Sequence, residues 1–78
     1  MFDVHVQYFA ILREKKGVPS ETVNCISGTT ADALYQRLFG AFAQNLVVSY
    51  AVNRTQVSKD TLLSAGDEVV FLPPMGGG

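Results

Sequence analysis

The group with the clearest chemical potential in this sequence is the carboxylate expected at the end of PPMGGG, residues 73–78. The two prolines cannot donate to a sheet ladder and favour an extended backbone, which suits a stiff spacer. The three glycines carry no side chain, so they can thread a channel that other residues would block. The carboxylate of Gly78 is ionised at neutral pH and must be activated, as an acyl phosphate or acyl adenylate, before it reacts.

No motif in the chain would activate that carboxylate with a nucleotide. Neither the phosphate-binding loop G-x-x-x-x-G-K-[ST] nor the dinucleotide motif G-x-G-x-x-G occurs. We therefore expect an external enzyme to perform the activation and the chain to act as a carrier. Glycine-rich ends also occur as frayed termini or expression linkers, and composition alone favours that interpretation at least equally.

Three other groups could do chemistry, and the sequence favours a structural role for each. Cys25 is the only cysteine and lies in an apolar strand pattern, which is typical of a buried small hydrophobe. His5 is the only histidine and lacks ligand-spaced partners, so we expect no metal site and no catalytic triad. Asp67 and Glu68 are interpreted as turn and edge residues, with an acidic contact for a basic surface of an activating enzyme as the alternative.

Length and charge exclude several classes of protein. The chain has 78 residues, which is enough for one domain, with six basic and seven acidic residues and no basic stripe. We therefore expect no nucleic-acid partner. No apolar run approaches the ~20 residues of a membrane helix, and the N-terminus lacks a signal-peptide pattern. With one cysteine there can be no internal disulfide, so a cytoplasmic protein without a membrane partner is expected.

Hydrophobic periodicity predicts the first two strands. Residues 2–8, FDVHVQY, alternate apolar with polar side chains, which is typical of a strand with one buried face. Residues 13–20, REKKGVPS, contain glycine and proline and predict a hairpin connection. Residues 21–26, ETVNCI, return to β-type residues, so we expect a first hairpin.

The period changes to that of a helix in residues 27–42, SGTTADALYQRLFGAF. Large apolar residues recur every four positions from Leu34 to Phe42, and Ala41 is expected on or near the same face. Either of the two adjacent threonines can cap the start of the helix, and Gly40 weakens or ends its last turns. We expect one helix of about three to four turns.

Further strands are predicted at residues 46–53 and 68–72, with a short extended piece at Gln56–Ser58. Gly66 is expected to adopt a positive φ in a turn before the last strand. The last strand, EVVFL, does not alternate with polar residues, so we expect cover on both of its faces. The proline pair at residues 73–74 should end it.

This order of elements predicts an α+β fold of the β-grasp type. We expect a mixed sheet of four to five strands, with one main helix across one face. The first and last strands would lie side by side at the centre of the sheet. Residues 1–72 would form this domain, and residues 73–78 would form a flexible C-terminal tail ending in Gly-Gly.

Two stretches of the sequence resemble the MoaD family of ubiquitin-like sulfur carriers, the small subunits of molybdopterin synthase. Residues 51–78, AVNRTQVSKDTLLSAGDEVVFLPPMGGG, are similar to the C-terminal third of that family without a gap. Residues 8–17, YFAILREKKG, resemble its first strand and the following turn. The helix region matches only in pattern, and the ending GDEVVFLPPMGGG is the most specific part.

The resemblance implies a function for the tail. In the family the terminal glycine, here Gly78, is adenylated by a partner that resembles ubiquitin-activating enzymes, and a sulfur donor converts it to a thiocarboxylate. The ATP is consumed by the activating enzyme, and the small subunit binds no cofactor. The tail inserts into the large synthase subunit, which holds the active site, and sulfur passes to cyclic pyranopterin monophosphate to form the molybdopterin dithiolene. The small subunit alone is not an enzyme, and the usual assembly is a heterotetramer of two small and two large subunits.

The resemblance also implies roles for residues near the tail. Gly77 is the second glycine of the terminal pair, whereas Gly76 replaces a residue that the family often has as non-glycine. Phe71 is expected to pack in the core. The residues expected to contact the partner are Phe9, Leu72, Pro73, Pro74 and Met75.

Three alternatives stay open at this point. The carrier could serve another pathway, such as thiamine thiazole synthesis, cysteine synthesis or tRNA thiolation. It could be a ubiquitin-like modifier joined to lysine amines through Gly78, or an interaction module with an inert tail.

Overall fold

The computed structural model describes residues 1–74. Within that range no helix is long and apolar enough to cross a membrane. Residues 1–74 form five strands, two α-helices and one 3-10 helix. Their bounds are β1 Phe2–Gln7, α1 Ala10–Lys16, β2 Ser20–Cys25, α2 Ala31–Phe39, the 3-10 helix Gly40–Asn45, β3 Ser49–Val52, β4 Thr55–Val57 and β5 Glu68–Leu72.

The five strands form one mixed sheet in the order β2-β1-β5-β3-β4. β1 pairs with β5 in parallel, and the other neighbouring strands pair antiparallel. The first and last strands are therefore adjacent at the centre, and the predicted β-grasp architecture is confirmed. A turn precedes β5, where Gly66 adopts the expected positive φ of 80°.

The connection between the first two strands was predicted as a hairpin loop, and the prediction was wrong in part. β1 and β2 do pair antiparallel, but α1 lies between them. Its Leu12 is fully buried, so one apolar side chain anchors this short helix to the core. Gly17 ends it at φ 79° and donates its N–H to the carbonyl of Arg13 at 2.9 Å. Basic residues in the last turn also favour the helix C-terminus.

Helix α2 begins as predicted but is shorter than predicted. Thr30 caps it by accepting a hydrogen bond from the backbone N–H of Ala33 at 3.1 Å. The helix has nine residues, about two and a half turns, because Gly40 adopts φ 54° and the chain continues as a 3-10 helix. That break shifts the helical phase, so Ala41 is exposed instead of sharing the buried face with Leu34.

The core between α2 and the sheet is built around Tyr35. Its ring lies 5.2 Å from the ring of Phe71, 5.3 Å from that of Phe39 and 6.1 Å from that of Tyr50, measured between centroids. Edge-to-face and tilted arrangements of this kind are favourable for aromatic pairs. Phe71 is fully buried, which confirms its predicted place in the core.

Strand β5 is covered on one face only, contrary to prediction. Val69 and Phe71 point into the core and are fully buried. On the opposite face Val70 is half-buried and Leu72 is exposed. The uninterrupted apolar sequence of this strand therefore leaves an apolar strip on the open face of the sheet.

We expect Tyr35→Phe and Tyr50→Phe to change stability in different directions. The Tyr35 hydroxyl is buried with no hydrogen-bond partner among residues 1–74, and burial raises its pKa. Removing it should leave the free energy of unfolding unchanged or raise it by about 1 kcal/mol. The Tyr50 hydroxyl donates to Asp32 Oδ1 at 2.9 Å, so its removal should cost about 1–3 kcal/mol. Urea denaturation of both variants measures this, and a larger loss for Tyr35→Phe would contradict the expectation.

Candidate functional site

The tail begins from the centre of the sheet. Leu72 is the last residue of β5 and pairs with Ser49 of β3, while β1 lies on the other side of β5. Pro73 and Pro74 follow immediately and are not part of the strand. β1 pairs with β5 only as far as Val70, so pairing with β3 alone holds the end of the strand from which the tail leaves.

An apolar groove lies where the tail leaves the sheet. Its volume is about 780 Å³. Phe9 and Leu72 contribute large side chains that are 46% and 41% exposed, and Val47 is 88% exposed. We call it the tail-base groove, and its lining residues are Phe9, Ala10, Val47, Ser49, Gln56, Leu72, Pro73 and Pro74.

The structure brings together four of the five residues that were predicted to contact a partner. Phe9, Leu72, Pro73 and Pro74 all line the tail-base groove. Met75 and the predicted tail glycines Gly76, Gly77 and Gly78 lie outside the described residues. Exposed apolar side chains that converge on one groove are the usual composition of a protein-binding surface.

Sequence reasoning missed the other half of the groove. Val47 was placed inside a strand that was predicted to begin at residue 46, whereas β3 begins at Ser49. Val47 therefore lies in the preceding loop with its side chain exposed. Two consecutive valines before Ser49 break strict alternation, and this was the available signal that one of them faces solvent.

Phe9 is presented by an unusual turn between β1 and α1. Ala10 adopts φ 51°, in the left-handed region that costs an L-residue about 1–2 kcal/mol. The carbonyl of Phe9 accepts hydrogen bonds from the N–H groups of Leu12 at 3.1 Å and Arg13 at 3.3 Å. This sharp turn lets Leu12 enter the core while the Phe9 ring stays at the rim of the groove.

Asp67 belongs to a turn as predicted, whereas Glu68 is not an edge residue. Asp67 accepts hydrogen bonds from the side chain of Asn53 at 2.9 Å and the N–H of Ser64 at 2.7 Å. Glu68 begins the central strand β5, where its carboxylate accepts from Gln7 at 3.2 Å and lies 3.6 Å from Arg54. Hydrogen bonds within the fold thus account for both carboxylates, and the alternative of a basic partner surface stays a prediction.

Cys25 and His5 lie away from the groove. Cys25 is buried in the core as predicted, and burial raises the pKa of its thiol, partly opposed by the nearby Arg37. A neutral, buried thiol is a poor nucleophile. His5 is exposed, with its Nδ1 3.2 Å from Thr22 Oγ1. Among residues 1–74 no three His, Cys, Asp or Glu side chains cluster closely enough to hold a metal ion.

We expect Ala10→Gly to stabilise the fold and Ala33→Gly to destabilise it. Glycine relieves the positive φ at position 10, and after its own entropic cost the gain should be about 0.5–1 kcal/mol. Ala33 is exposed in α2 with ordinary helical geometry, so glycine there should cost about 0.5–1 kcal/mol. Urea denaturation distinguishes the pair, and an equal loss in both variants would argue against the left-handed turn.

Comparison with known proteins identifies the family to which this chain belongs. Residues 6–78 match the ThiS family. The chain is 32% identical over 82 residues to a molybdopterin synthase sulfur carrier subunit from Drosophila sechellia, across 97% of this chain and 91% of that protein.

Solved structures with this fold agree with that match. A putative molybdopterin converting factor, subunit 1, from Pyrococcus furiosus superposes with a TM-score of 0.83 at 29% identity, over 96% of this chain and 100% of that one. The fold recurs at 23% identity and a TM-score of 0.63 in the complex of subunits 1 and 2 of the molybdopterin-converting factor from Helicobacter pylori 26695, over 99% and 100% of the two chains. The chain therefore belongs to the ThiS family, and its relatives include molybdopterin synthase sulfur carrier subunits, as the sequence resemblance predicted.

Proposed function

We propose that this chain is the sulfur carrier subunit of a molybdopterin synthase. The observation that carries the proposal is the tail-base groove. Its lining includes Pro73 and Pro74, the first residues of a tail that leaves the central strand of the sheet. The match to the family extends through Gly78, and relatives that align with nearly the whole chain carry this function in their names. A fixed base, an apolar contact surface and a terminal carboxylate are what a carrier of an activated group requires.

The reacting group would be the α-carboxylate of Gly78. One carboxylate oxygen attacks the α-phosphate of ATP on the activating enzyme, which forms an acyl adenylate and releases pyrophosphate. Hydrosulfide released by the sulfur donor then attacks the acyl carbon and displaces AMP, and loss of a proton leaves a thiocarboxylate at Gly78. That sulfur would form a carbon–sulfur bond to cyclic pyranopterin monophosphate, and water would then cleave the acyl–sulfur bond and return Gly78 to a carboxylate. Two such transfers would supply the two sulfurs of the molybdopterin dithiolene.

The described residues would contribute position and recognition to this chemistry. The side chains that line the tail-base groove are apolar or neutral, so they offer no general acid, base or cation for the transfer. Catalytic groups would therefore come from the proteins that receive the tail. We place the active site on the large synthase subunit and the adenylation site on the activating enzyme.

The tail-base groove is the surface we assign to the large subunit. Its exposed apolar side chains flank the exit of the tail, so a protein that accepts the tail would bury them in the same contact. Relatives named as subunits support a larger partner, and we propose an assembly of two small and two large subunits. The activating enzyme and the sulfur donor are separate, transient partners.

Formation of a thiocarboxylate at Gly78 is the direct test of the carrier chemistry. After incubation with ATP, the activating enzyme and a sulfur source, the intact mass should increase by the difference between one sulfur and one oxygen. A variant with one alanine added after Gly78 should show no increase in its own mass during the incubation. The added residue moves the terminal carboxylate and gives its residue a side chain. An unchanged mass for the wild-type chain with a demonstrably active enzyme would refute the proposal.

The same material separates the remaining alternatives. Recovery of a thiazole synthase or a tRNA-modifying enzyme, without a molybdopterin synthase large subunit, would assign the carrier to another pathway. Branched Gly-Gly remnants on lysines of other proteins would instead identify a protein modifier.

Leu72→Asp should weaken binding to the large subunit, and Leu62→Asp should not. Leu72 lines the tail-base groove, whereas Leu62 lies outside it, and both side chains are exposed, at 41% and 63%. A charge buried in the contact should raise the Kd at least about tenfold. Calorimetric titration of both variants measures this, with urea denaturation as the control for folding. Equal affinities would show that the groove is not the contact surface.

A further inference from the structure

The outer edge of β2 is the second surface that the fold leaves open. β2 is the terminal strand of the sheet, on the side opposite β3 and β4, which help to form the tail-base groove. The Tyr8 N–H donates to the carbonyl of Pro19 at 2.9 Å, so alternate residues from Pro19 onward pair with β1. The intervening residues Ser20, Thr22 and Asn24 must therefore direct their backbone groups outward.

A hydrogen bond donated by His5 indicates the same alternation of inward-facing and outward-facing residues along β2. His5 lies opposite Thr22 in the register but donates its N–H to the carbonyl of Asp67 at 2.8 Å, on the other side of β1. His5 and Thr22 are thus a pair without mutual backbone hydrogen bonds, and the backbone N–H and C=O of Thr22 face the open edge.

This edge carries few of the features that usually block pairing with another strand. β2 pairs with β1 over six consecutive residues without a bulge, and it contains no proline. The other edge strand, β4, has only three residues. Among the outward-facing backbone groups of β2, the carbonyl of Asn24 accepts a hydrogen bond from Arg37 NH1 at 2.8 Å. The side chains of Ser20, Thr22 and Asn24 are exposed.

One basic side chain with unused hydrogen-bond donors, that of Arg37, flanks the edge on the helix side. Arg37 lies at the Asn24 end. Lys16 lies at the other end, but its Nζ donates to the carbonyl of Leu38 at 3.3 Å and lies 3.7 Å from Glu21 Oε2, so the fold itself already engages that charge. Glu21 is already engaged, since it also accepts a hydrogen bond from the Tyr8 hydroxyl. Arg37 uses one N–H group on the Asn24 carbonyl, and a guanidinium has five to offer. Its remaining donors fit a carboxylate.

We infer that the β2 edge binds an extended, acidic segment of a protein partner. The segment would add a sixth strand by pairing with the backbone of Ser20 and Thr22, and one of its carboxylates would contact Arg37. Its alternate side chains would face the two sides of the sheet. Because β2 contributes no residue to the lining of the tail-base groove, the inference does not depend on the proposed sulfur transfer.

A capped heptapeptide Val-Glu-Val-Asp-Val-Glu-Val is the probe, and the same peptide with lysine in place of each acidic residue is the control. Amide hydrogen exchange of the full chain is followed by NMR, with the peptide at ten times its Kd. The N–H groups of Ser20 and Thr22 should exchange about tenfold more slowly with the acidic peptide. The lysine peptide should leave them unchanged.

Two variants locate the effect on the edge. Thr22→Pro removes an outward N–H that the sheet does not use, so the fold should persist while the protection is lost. Arg37→Gln should raise the Kd of the acidic peptide about fivefold, and Arg54→Gln, a matched loss of charge at the β3–β4 turn, should not. If Thr22→Pro unfolds, the arginine pair still decides the question. Thiocarboxylate formation at Gly78 should be unaffected by Arg37→Gln.

Three results would overturn the inference. Equal protection by the acidic and lysine peptides would remove the role of charge. Protection confined to Ser49 and Leu72 would place binding in the tail-base groove. Protection of Ser20 and Thr22 that rises with protein concentration, without any peptide, would identify a second copy of this chain as the occupant.

Discussion

The parallel pairing of β1 with β5 is the contact on which the rest of the structure depends. Val6 and Val69 lie opposite each other in this pair, and both are fully buried. A parallel pair cannot be closed by a tight turn, so everything between the two strands must form the crossover. Helix α2 covers one face of the sheet as part of that crossover, and β2 and β3 occupy the positions on either side. The arrangement brings the last strand to the centre, where the tail has a firm base.

The core fixes the direction in which functional side chains point. Phe71 is locked among Tyr35, Phe39 and Tyr50, so its neighbour Leu72 must face outward by the alternation of a strand. The same logic applies at β1, where the burial of Leu12 and the left-handed turn at Ala10 leave the Phe9 ring exposed. The tail-base groove is thus made of side chains that the packing of the core excludes from the interior.

Much of this fold is predictable from residue patterns, and the failures have physical causes. Alternation located β1, a run of β-type residues between a glycine turn and two prolines located β5, and the threonine cap located the start of α2, because these signals are local. Helix α1 was not predicted, because its only buried side chain is that of one leucine. A single buried residue produces no helical periodicity in the sequence, even with a glycine cap at the end of the helix. The non-alternating sequence of β5 was interpreted as burial on both faces of the strand, although half of its apolar residues lie on the open face of the sheet.

The candidate site was predictable where chain order alone determines it. Leu72, Pro73 and Pro74 follow directly from the end of the last strand, and their place in the groove needed little tertiary information. Val47 and Ala10 join them only through the folded arrangement of two loops and a positive φ. Local sequence carries no signal for a contact between residues so far apart in the chain, so this half of the groove could be identified only from the structure.

The central position of β5 also decides how the domain responds to mechanical load. β1 begins at one end of the sheet and β5 finishes at the other, since the two strands run in the same direction. A pull on the tail against the N-terminus would therefore act along the strands and strain the β1–β5 and β3–β5 ladders together, in shear. If the two terminal strands were an antiparallel pair, their free ends would lie at the same end of the sheet and the pull would open one hydrogen bond at a time. Under the proposed function, withdrawal of the tail from a partner would load these ladders, and the geometry shares the force among many hydrogen bonds.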